Sequence, residues 1–213
     1  MHEILKKIGA LGVVPVVAIQ DAKDAKPLAD VLVNGGLPCA EVTFRTAAAV
    51  DAIKAMADAY PEMLLGAGTV ITVEQAEKAI QCGAKYIISP GLDKDVVKYC
   101  QAQDVPVTPG IITPTELQKA LKLGLEVVKF FPAEAAGGVK YLKALGGPFP
   151  QVKFIPTGGV STANLTDYLV LPQVVACGGS WLVKKNMIAA GEFDKIEQLA
   201  REAIALVHVA RGK

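Results

Sequence analysis

The feature that most constrains this sequence is an eightfold alternation of short apolar runs with segments of helical periodicity. Each run is followed by a turn signal and then by a helical segment, which is the pattern of a parallel sheet. Eight such units in 213 residues favour an α/β fold closed into a (β/α)₈ TIM barrel over an open doubly wound sheet. The runs are Val13–Ile19, Cys39–Phe44, Leu64–Gly66, Tyr86–Ser89, Val107–Pro109, Val127–Phe130, Phe154–Thr157 and Val174–Cys177.

The segments between the runs complete this interpretation. Glycines at several helix ends, at 35–36, 83 and 124, are typical of left-handed caps before the next strand. No linker, charge block or low-complexity segment marks a second domain, so we expect one barrel domain over residues 1–213. The helical candidates are Ala25–Asn34, Ala48–Ala59, Val73–Gln81, Lys94–Ala102, Pro114–Lys122 and Val139–Leu145, with extra helices at Glu3–Leu11 and Phe193–Ala210.

Composition and charge exclude several classes of partner. The chain is 52% hydrophobic and 20% charged, which argues against extended disorder. The formal net charge is +1, and no cluster of Lys and Arg interleaves with aromatic residues. Neither nucleic acid nor an acidic membrane surface is therefore indicated, and we expect a small-molecule substrate.

The cysteines and the amino-terminal stretch bear on the compartment. The four cysteines include no pair at CxxC spacing, which indicates free thiols in a reducing environment. Lys6-Lys7 and the apolar stretch 8–19 superficially resemble a secretory leader, but Glu3 and Pro15 argue against one, and cleavage would remove the first strand. No stretch approaches the length of a membrane span. We expect a cytoplasmic protein.

Lys129 stands out within the sixth run. Two valines precede it and two phenylalanines follow it, although lysine is seldom fully buried without a partner. Two interpretations compete. The side chain either snorkels its ammonium group to water along its apolar stem, or it lies inside as a desolvated, reactive amine.

The alternation of side chains along the second run bears on this choice. Glu41, Thr43 and Arg45 share one parity, and the two residues between them are apolar. The apolar pair suits packing against the outer helices, where charges would be buried without partners. We therefore expect Glu41 and Arg45 to point into the barrel near its carboxyl end. Lys129 and Phe131 are expected to join them there, on the face that carries barrel active sites.

Amine chemistry is what these residues allow. The two histidines, His2 and His208, lie near the ends of the chain, which argues against imidazole catalysis and a Ser-His-Asp arrangement. No set of His, Asp or Glu recurs at the strand ends with metal-ligand spacing, so we expect no metal. A lysine that is partly neutral forms a Schiff base with a carbonyl substrate. Burial and a nearby Arg45 favour the neutral amine, whereas Glu41 opposes it but supplies a proton acceptor.

Glycine pairs follow the last two runs, in Pro156-Thr-Gly-Gly159 and Cys177-Gly-Gly-Ser-Trp181. Glycines let backbone N–H groups approach an anion, and a short helix opening at Ser180 would aim its amino end at the same point. Paired glycines also form ordinary tight turns. Their position after strands seven and eight favours a phosphate site, because barrels commonly hold phosphate there.

A weaker signal begins at the last residue of the third run, in Gly66-Ala-Gly-Thr69. We interpret it as a close-approach turn. The Thr69 hydroxyl either helps to hold a carboxylate beside Arg45 or serves the turn alone.

The assembled motifs resemble those of the bacterial 2-keto-3-deoxy-6-phosphogluconate (KDPG) and 4-hydroxy-2-oxoglutarate aldolases, which are class I (β/α)₈ aldolases. The resemblance spans nearly the whole chain. It implies a trimer that reversibly cleaves KDPG to pyruvate and glyceraldehyde 3-phosphate, with no metal or organic cofactor. The matching motifs, in order, are Glu41-Val-Thr-Phe-Arg45, Gly66-Ala-Gly-Thr-Val70, Ile88-Ser-Pro-Gly91, Lys129-Phe-Phe-Pro-Ala-Glu134, Pro156-Thr-Gly-Gly159 and Gly178-Gly-Ser-Trp181.

The resemblance also implies a role for each site residue. Lys129 would be the Schiff-base lysine and Glu41 the general acid/base. The pyruvate carboxylate would be bound by Arg45 and Thr69, and the pyruvyl pocket would be shaped by Pro90 and Phe131. The phosphate would be bound by Gly158, Gly159, Gly179 and Ser180. Two alternatives remain open: a phosphate-binding barrel isomerase or epimerase that uses Glu41 as a base, and a non-catalytic sugar-phosphate-binding barrel.

Overall fold

The computed structural model describes residues 1–212 and contains a barrel of eight parallel strands. The strands are β1 Val13–Val17, β2 Cys39–Thr43, β3 Leu64–Gly68, β4 Tyr86–Ser89, β5 Val107–Ile111, β6 Val127–Phe130, β7 Lys153–Pro156 and β8 Cys177–Gly179. The helices are α1 Glu3–Leu11, α2 Ala25–Asn34, α3 Ala49–Ala59, α4 Val73–Gln81, α5 Lys94–Ala102, α6 Pro114–Lys122, α7 Gly138–Gly146, α8 Leu165–Leu169, α9 Lys185–Ala189 and α10 Phe193–Ala210, with a 3₁₀ turn at Ala22–Asp24.

The strands follow one another around the barrel in chain order. Hydrogen-bonded neighbours run from β7 through β6, β5, β4, β3, β2 and β1 to β8. Two isolated parallel bridges, Phe154 to Val174 and Thr157 to Gly178, link β7 to the β8 side and close the ring. The predicted (β/α)₈ barrel is therefore confirmed.

The eighth strand differs from the prediction. We expected it at Val174–Cys177, but it begins at Cys177, and Val174 makes only an isolated bridge. The glycine pair thus lies inside β8 instead of following it. A β-carbon at Gly178 would lie 2.3 Å from Thr157 Oγ1, so glycine is needed where β8 passes β7. The short helix predicted at Ser180 is also wrong, because the next helix, α9, begins at Lys185.

Smaller differences concern the third and fifth strands and one cap. The predicted runs 64–66 and 107–109 continue to Gly68 and Ile111. Gly36, Gly83 and Gly124 have φ angles of 77°, 101° and 75°, which confirms the left-handed conformation expected at these helix ends. Gly35 is instead right-handed, because it still continues the last turn of α2.

Strand register gives the barrel two distinct faces. Parallel pairing places Val16, Glu41 and Gly66 side by side, and Gly110 pairs with Lys129. Side chains of this parity point inward, while those of the other parity, such as Val42 and Val128, are fully buried under the helices. The helix before β1 also reaches the interior, because Ile8 of α1 lines a cavity together with Glu41 and Lys129.

Two further findings concern helices and thiols. Among residues 1–212, no helix is long and apolar enough to cross a membrane. All four cysteines carry free thiols, as predicted. Cys39, Cys100 and Cys177 are buried, and Cys82 is half-buried.

The buried thiols predict a loss of stability in alkali. Burial raises the pKa of Cys100 to about 11, whereas the pKa of a cysteine thiol in the unfolded chain is about 8.5. The folded state therefore retains a proton that the unfolded chain releases. The stabilisation is complete below about pH 8.5 and is lost as the pH rises towards 11. We expect the free energy of unfolding in urea to fall by about 1.4 kcal/mol per pH unit for this thiol.

A variant checks the cause. Cys100→Ala should make the decline with pH shallower than in the wild-type protein. A slope equal to that of the wild-type protein would contradict the assignment to Cys100.

Candidate active site

A buried ion pair lies at the centre of the barrel. Lys129 of β6 and Glu41 of β2 approach to 3.2 Å between Nζ and Oε1. Each residue is only 4% exposed, so the snorkelling interpretation of Lys129 is wrong. The parity argument is confirmed, because both side chains point into the barrel from strands far apart in the sequence. An enclosed ion pair has little competition from water, and removing one partner leaves the other charge uncompensated.

Glycines on β3 make room for the carboxylate and for a tyrosine. A β-carbon at Gly68 would lie 2.2 Å from Glu41 Oε1, and one at Gly66 would lie 2.2 Å from Tyr86 Cε2. The Tyr86 hydroxyl donates to the Ala40 carbonyl oxygen at 3.1 Å. Small residues beside large ones are how the interior of a small barrel is filled. The close approach predicted for the Gly66 segment is therefore present, but residues 66–68 form a strand and not the predicted turn.

The space beside Glu41 predicts the effect of adding one methyl group. Gly68→Ala should displace the Glu41 carboxylate, because a β-carbon 2.2 Å from its oxygen is a severe overlap. We expect turnover to fall about 100-fold, while the free energy of unfolding falls by only about 1–3 kcal/mol. Gly147→Ala is the control, because the nearest atoms there are 3.6 Å away. Activity of Gly68→Ala within a factor of three of wild type would contradict the packing argument.

Phe131 lies beside the lysine, and Pro90 lies against the neighbouring strand β5. Lys129 Nζ lies 5.1 Å from the centroid of the Phe131 ring, within the range of a cation–π contact. Pro90 follows β4, and its carbonyl oxygen would lie 2.0 Å from a β-carbon at Gly110. Gly110 pairs in register with Lys129. Phe131 is therefore next to the amine, whereas Pro90 packs on the strand that pairs with the strand carrying it.

Arg45 and Thr69 form a polar pair next to this centre. Arg45 lies two residues beyond β2, is exposed, and donates from Nε to Thr69 Oγ1 at 3.0 Å. Thr69 has a φ angle of 58°, which is unfavourable for a β-branched residue and is typical of positions held for a functional reason. The guanidinium is thereby oriented at the mouth of the barrel and remains open to solvent. The pair can bind a carboxylate, as the sequence suggested.

The glycine turn after β7 offers a free backbone donor. Gly158 and Gly159 have φ angles of 99° and 82°. Within residues 1–212, the Gly159 N–H donates to no protein acceptor, whereas the Thr157–Gly178 bridge directs the Gly158 N–H towards β8. The Thr157–Gly178 bridge brings this turn beside the end of β8, where Gly179 is buried and Ser180 is exposed. The four residues predicted to bind phosphate therefore come from two adjoining segments at the same end of the barrel.

Other interior polar residues were not singled out from the sequence. Thr108 and Thr157 are buried and line the same cavity as Glu41 and Lys129. The alternation that identified Glu41 also applies to β5 and β7, and would have placed these hydroxyls inward. Among residues 1–212, no three His, Cys, Asp or Glu side chains are arranged to hold a metal ion.

The chemistry open to this centre follows from its geometry. A primary amine and a carboxylate in contact, shielded from water, can carry out covalent addition to a carbonyl and an associated proton transfer. A cationic pair suited to a carboxylate, Arg45 with Thr69, and the free N–H of Gly159 lie at the mouth of the same barrel. Such a site suits a small 2-oxo acid that carries a second anionic group.

Comparisons with known proteins agree with this description. The family model for KDPG and KHG aldolase matches residues 3–199. The chain is 47% identical over 206 residues to a 2-dehydro-3-deoxy-phosphogluconate aldolase of Haemophilus influenzae, covering 97% of both proteins. It also resembles solved structures of KDPG aldolases, including the two that follow.

The first solved structure is a KDPG aldolase of Legionella pneumophila with pyruvate captured as a covalent carbinolamine intermediate. It has a TM-score of 0.89 and 41% identity, with 92% of this chain and 96% of that chain covered. The second is the KDPG aldolase of Zymomonas mobilis with 3-phosphoglycerate, with a TM-score of 0.88, 40% identity and 95% of each chain covered. The chain therefore belongs to the KDPG and KHG aldolase family and is an aldolase, a carbon–carbon lyase.

Proposed function

We propose that this protein is a class I aldolase that reversibly cleaves 2-keto-3-deoxy-6-phosphogluconate to pyruvate and glyceraldehyde 3-phosphate. The observation that carries the proposal is the buried contact of 3.2 Å between the Lys129 amine and the Glu41 carboxylate. An amine in this position provides the nucleophile, and the carboxylate provides the proton acceptor. The same centre acts on 4-hydroxy-2-oxoglutarate, in keeping with the family to which the chain belongs.

The reaction begins with covalent attachment of the substrate. Lys129 Nζ adds to the keto carbon of the substrate to give a carbinolamine, which loses water to form a protonated imine. The captured carbinolamine of the Legionella relative supports this step. The imine then serves as the electron sink, so the mechanism requires neither a metal nor an organic cofactor.

Cleavage follows from the position of Glu41. Its carboxylate takes the proton of the C4 hydroxyl as the C3–C4 bond breaks, and the bonding electrons flow into the imine to give an enamine. Glyceraldehyde 3-phosphate leaves as the aldehyde. Protonation of the enamine and hydrolysis of the resulting imine then release pyruvate and regenerate the amine.

The groups around Lys129 position the substrate. Arg45 and Thr69 bind the carboxylate of the pyruvyl moiety, and Phe131 and Pro90 enclose it. The glycine turn at Gly158 and Gly159, with Gly179 and Ser180, binds the phosphate. Anchoring both ends of the substrate holds the reacting bond between amine and carboxylate.

Arg45 provides a test of the carboxylate site. Arg45→Met should raise the KM for pyruvate in the aldol direction by about 10- to 100-fold, which corresponds to loss of a charged hydrogen bond worth about 1.5–3 kcal/mol. The KM for the aldehyde should change little, because the aldehyde does not contact this site. Steady-state kinetics with each substrate varied in turn provides the measurement. Equal changes in both KM values would contradict the assignment.

We also propose the assembly and setting that membership of the family implies. The protein forms a homotrimer of single-domain barrels and operates in the cytoplasm, in the Entner–Doudoroff pathway. The free thiols support a reducing compartment. Light scattering of the purified protein tests the trimer, and a monomer at micromolar concentration would contradict it.

The decisive experiment for the function is reductive trapping. The protein is mixed with pyruvate and borohydride in the absence of phosphate, and the modified peptide is mapped by mass spectrometry. We expect one reduced pyruvyl adduct, on Lys129. Absence of this adduct from the folded protein would overturn the Schiff-base mechanism.

A further inference from the structure

Glu134 lies outside the groups assigned above but contacts the glycine turn directly. Beyond β6, residues 132–134 run alongside the segment that follows β7. The Ala133 N–H donates to the Thr157 carbonyl oxygen at 2.8 Å, and the Glu134 N–H donates to the Gly158 carbonyl oxygen at 3.0 Å. The backbone that follows the catalytic strand is therefore hydrogen-bonded to the backbone of the turn.

The Glu134 side chain covers the turn. A β-carbon at Gly159 would lie 2.6 Å from both Cβ and Cγ of Glu134, and one at Gly138 would lie 3.0 Å from its Oε1. Both glycines have positive φ angles, 82° for Gly159 and 62° for Gly138. Two glycines from different segments thus leave the space that this one side chain occupies.

Tyr168 fixes that side chain from the other side. Tyr168 belongs to α8 and is fully buried, and its hydroxyl donates to Glu134 Oε1. Burial, and secondarily the hydrogen bond to Glu134, raises the pKa of Tyr168. The phenol therefore keeps its proton and remains a donor at neutral pH.

Asn164 holds the opposite edge of the turn. Its Nδ2 donates to the Gly159 carbonyl oxygen at 3.2 Å, while its Oδ1 accepts from the Ser161 N–H at 2.8 Å. The carbonyl oxygens of the turn are thus bonded to protein, whereas the N–H of Gly159 has no protein acceptor within residues 1–212. Fixing the carbonyls in this way orients the Gly159 N–H in advance.

From this geometry we infer that Tyr168 and Glu134 are positioning residues that hold the Gly158–Gly159 turn in the shape that binds the phosphate of the substrate. The inference deepens the proposed function and rests on it. Phosphate binding and catalysis are then separate properties of the site, because Tyr168 and Glu134 support the phosphate-binding turn and take no part in the chemistry at Lys129. Loss of the pair should therefore weaken binding of phosphorylated substrate selectively.

Tyr168→Phe tests this separation, because it removes one hydroxyl and keeps the ring. We expect the KM for KDPG to rise about tenfold, with kcat within a factor of two. The kcat and the KM for 4-hydroxy-2-oxoglutarate, which has no phosphate, should remain at wild-type values. The dissociation constant of inorganic phosphate, measured by calorimetry, should also rise about tenfold.

Variants at Glu134 provide the matched controls. Glu134→Gln keeps an oxygen that accepts from Tyr168 and should stay within about threefold of wild type for both substrates. Glu134→Ala removes the acceptor and should reproduce Tyr168→Phe. Because Glu134 is exposed, the alanine variant provides the result if Tyr168→Phe fails to fold.

Two outcomes would overturn the inference. Equal losses on both substrates would show a purely structural role, and an unchanged affinity for phosphate in Tyr168→Phe and Glu134→Ala would show no role at the turn. The phosphate measurement does not depend on turnover. A failure of the proposed function, seen as no pyruvyl adduct on Lys129, is therefore distinguishable from a failure of this inference.

Discussion

Replacing Lys129 with methionine should abolish pyruvate release, with kcat reduced by about 10⁴-fold or more. Methionine preserves much of the apolar stem but has no amine, so neither the carbinolamine nor the imine can form. The measurement is a coupled assay of pyruvate production from KDPG, together with borohydride trapping, which should give no adduct. Residual turnover above about one per cent of wild type would indicate another nucleophile or the isomerase-like alternative.

The stability of this variant needs its own control. Methionine leaves the Glu41 carboxylate buried without its partner at 3.2 Å, which costs about 3–5 kcal/mol when the charge persists. The double variant Lys129→Met/Glu41→Gln removes both charges and should recover most of that loss without recovering activity. An inactive and stable double variant separates the chemical role of the amine from its structural role.

Glu41→Gln should produce the second-largest effect. Glutamine keeps the shape of the side chain and an oxygen facing Lys129 Nζ, but it cannot accept the proton of the C4 hydroxyl. We expect kcat for KDPG cleavage to fall by about 10²- to 10⁴-fold, the range typical of a lost general acid or base. The KM should change much less, because the groups proposed to bind the two ends of the substrate, Arg45 and the glycine turn, are unchanged in this variant.

Trapping distinguishes this variant from the lysine variant. The amine of Lys129 remains in Glu41→Gln, so pyruvate and borohydride should still label it, at a reduced rate. A kcat within threefold of wild type would refute a proton-transfer role for Glu41. Complete loss of labelling would show that Glu41 is required to form the imine and not only to cleave the bond.

The sequence predicted the barrel and its central pair because both depend on local periodicity. Apolar runs alternating with helices determine the order of the elements, and a period of two along a strand determines which side chains point inward. Lys129 and Glu41 are far apart in the chain, yet each could be assigned to the interior from its own strand. Their contact at 3.2 Å follows once the barrel closes.

The glycines were predicted less well because their neighbours come from other strands. The pair at 178–179 was expected to follow β8, but it lies within the strand, where Gly178 makes room for Thr157. Gly66 and Gly68 likewise make room for Tyr86 and Glu41 instead of forming a turn. A missing β-carbon permits a left-handed turn or a close approach, and local sequence does not distinguish between them.

The sequence by itself therefore determined the fold, the inward-facing amine and carboxylate, and the segments that surround them. Only the tertiary structure decided which groups touch, such as Arg45 with Thr69, and Tyr168 with Glu134 beside the Gly158–Gly159 turn. The physical reason is the separation along the sequence over which each interaction acts. Strand and helix periodicity is set within a few residues, whereas each of these contacts requires segments more than 20 positions apart to be brought within hydrogen-bonding distance by closure of the barrel.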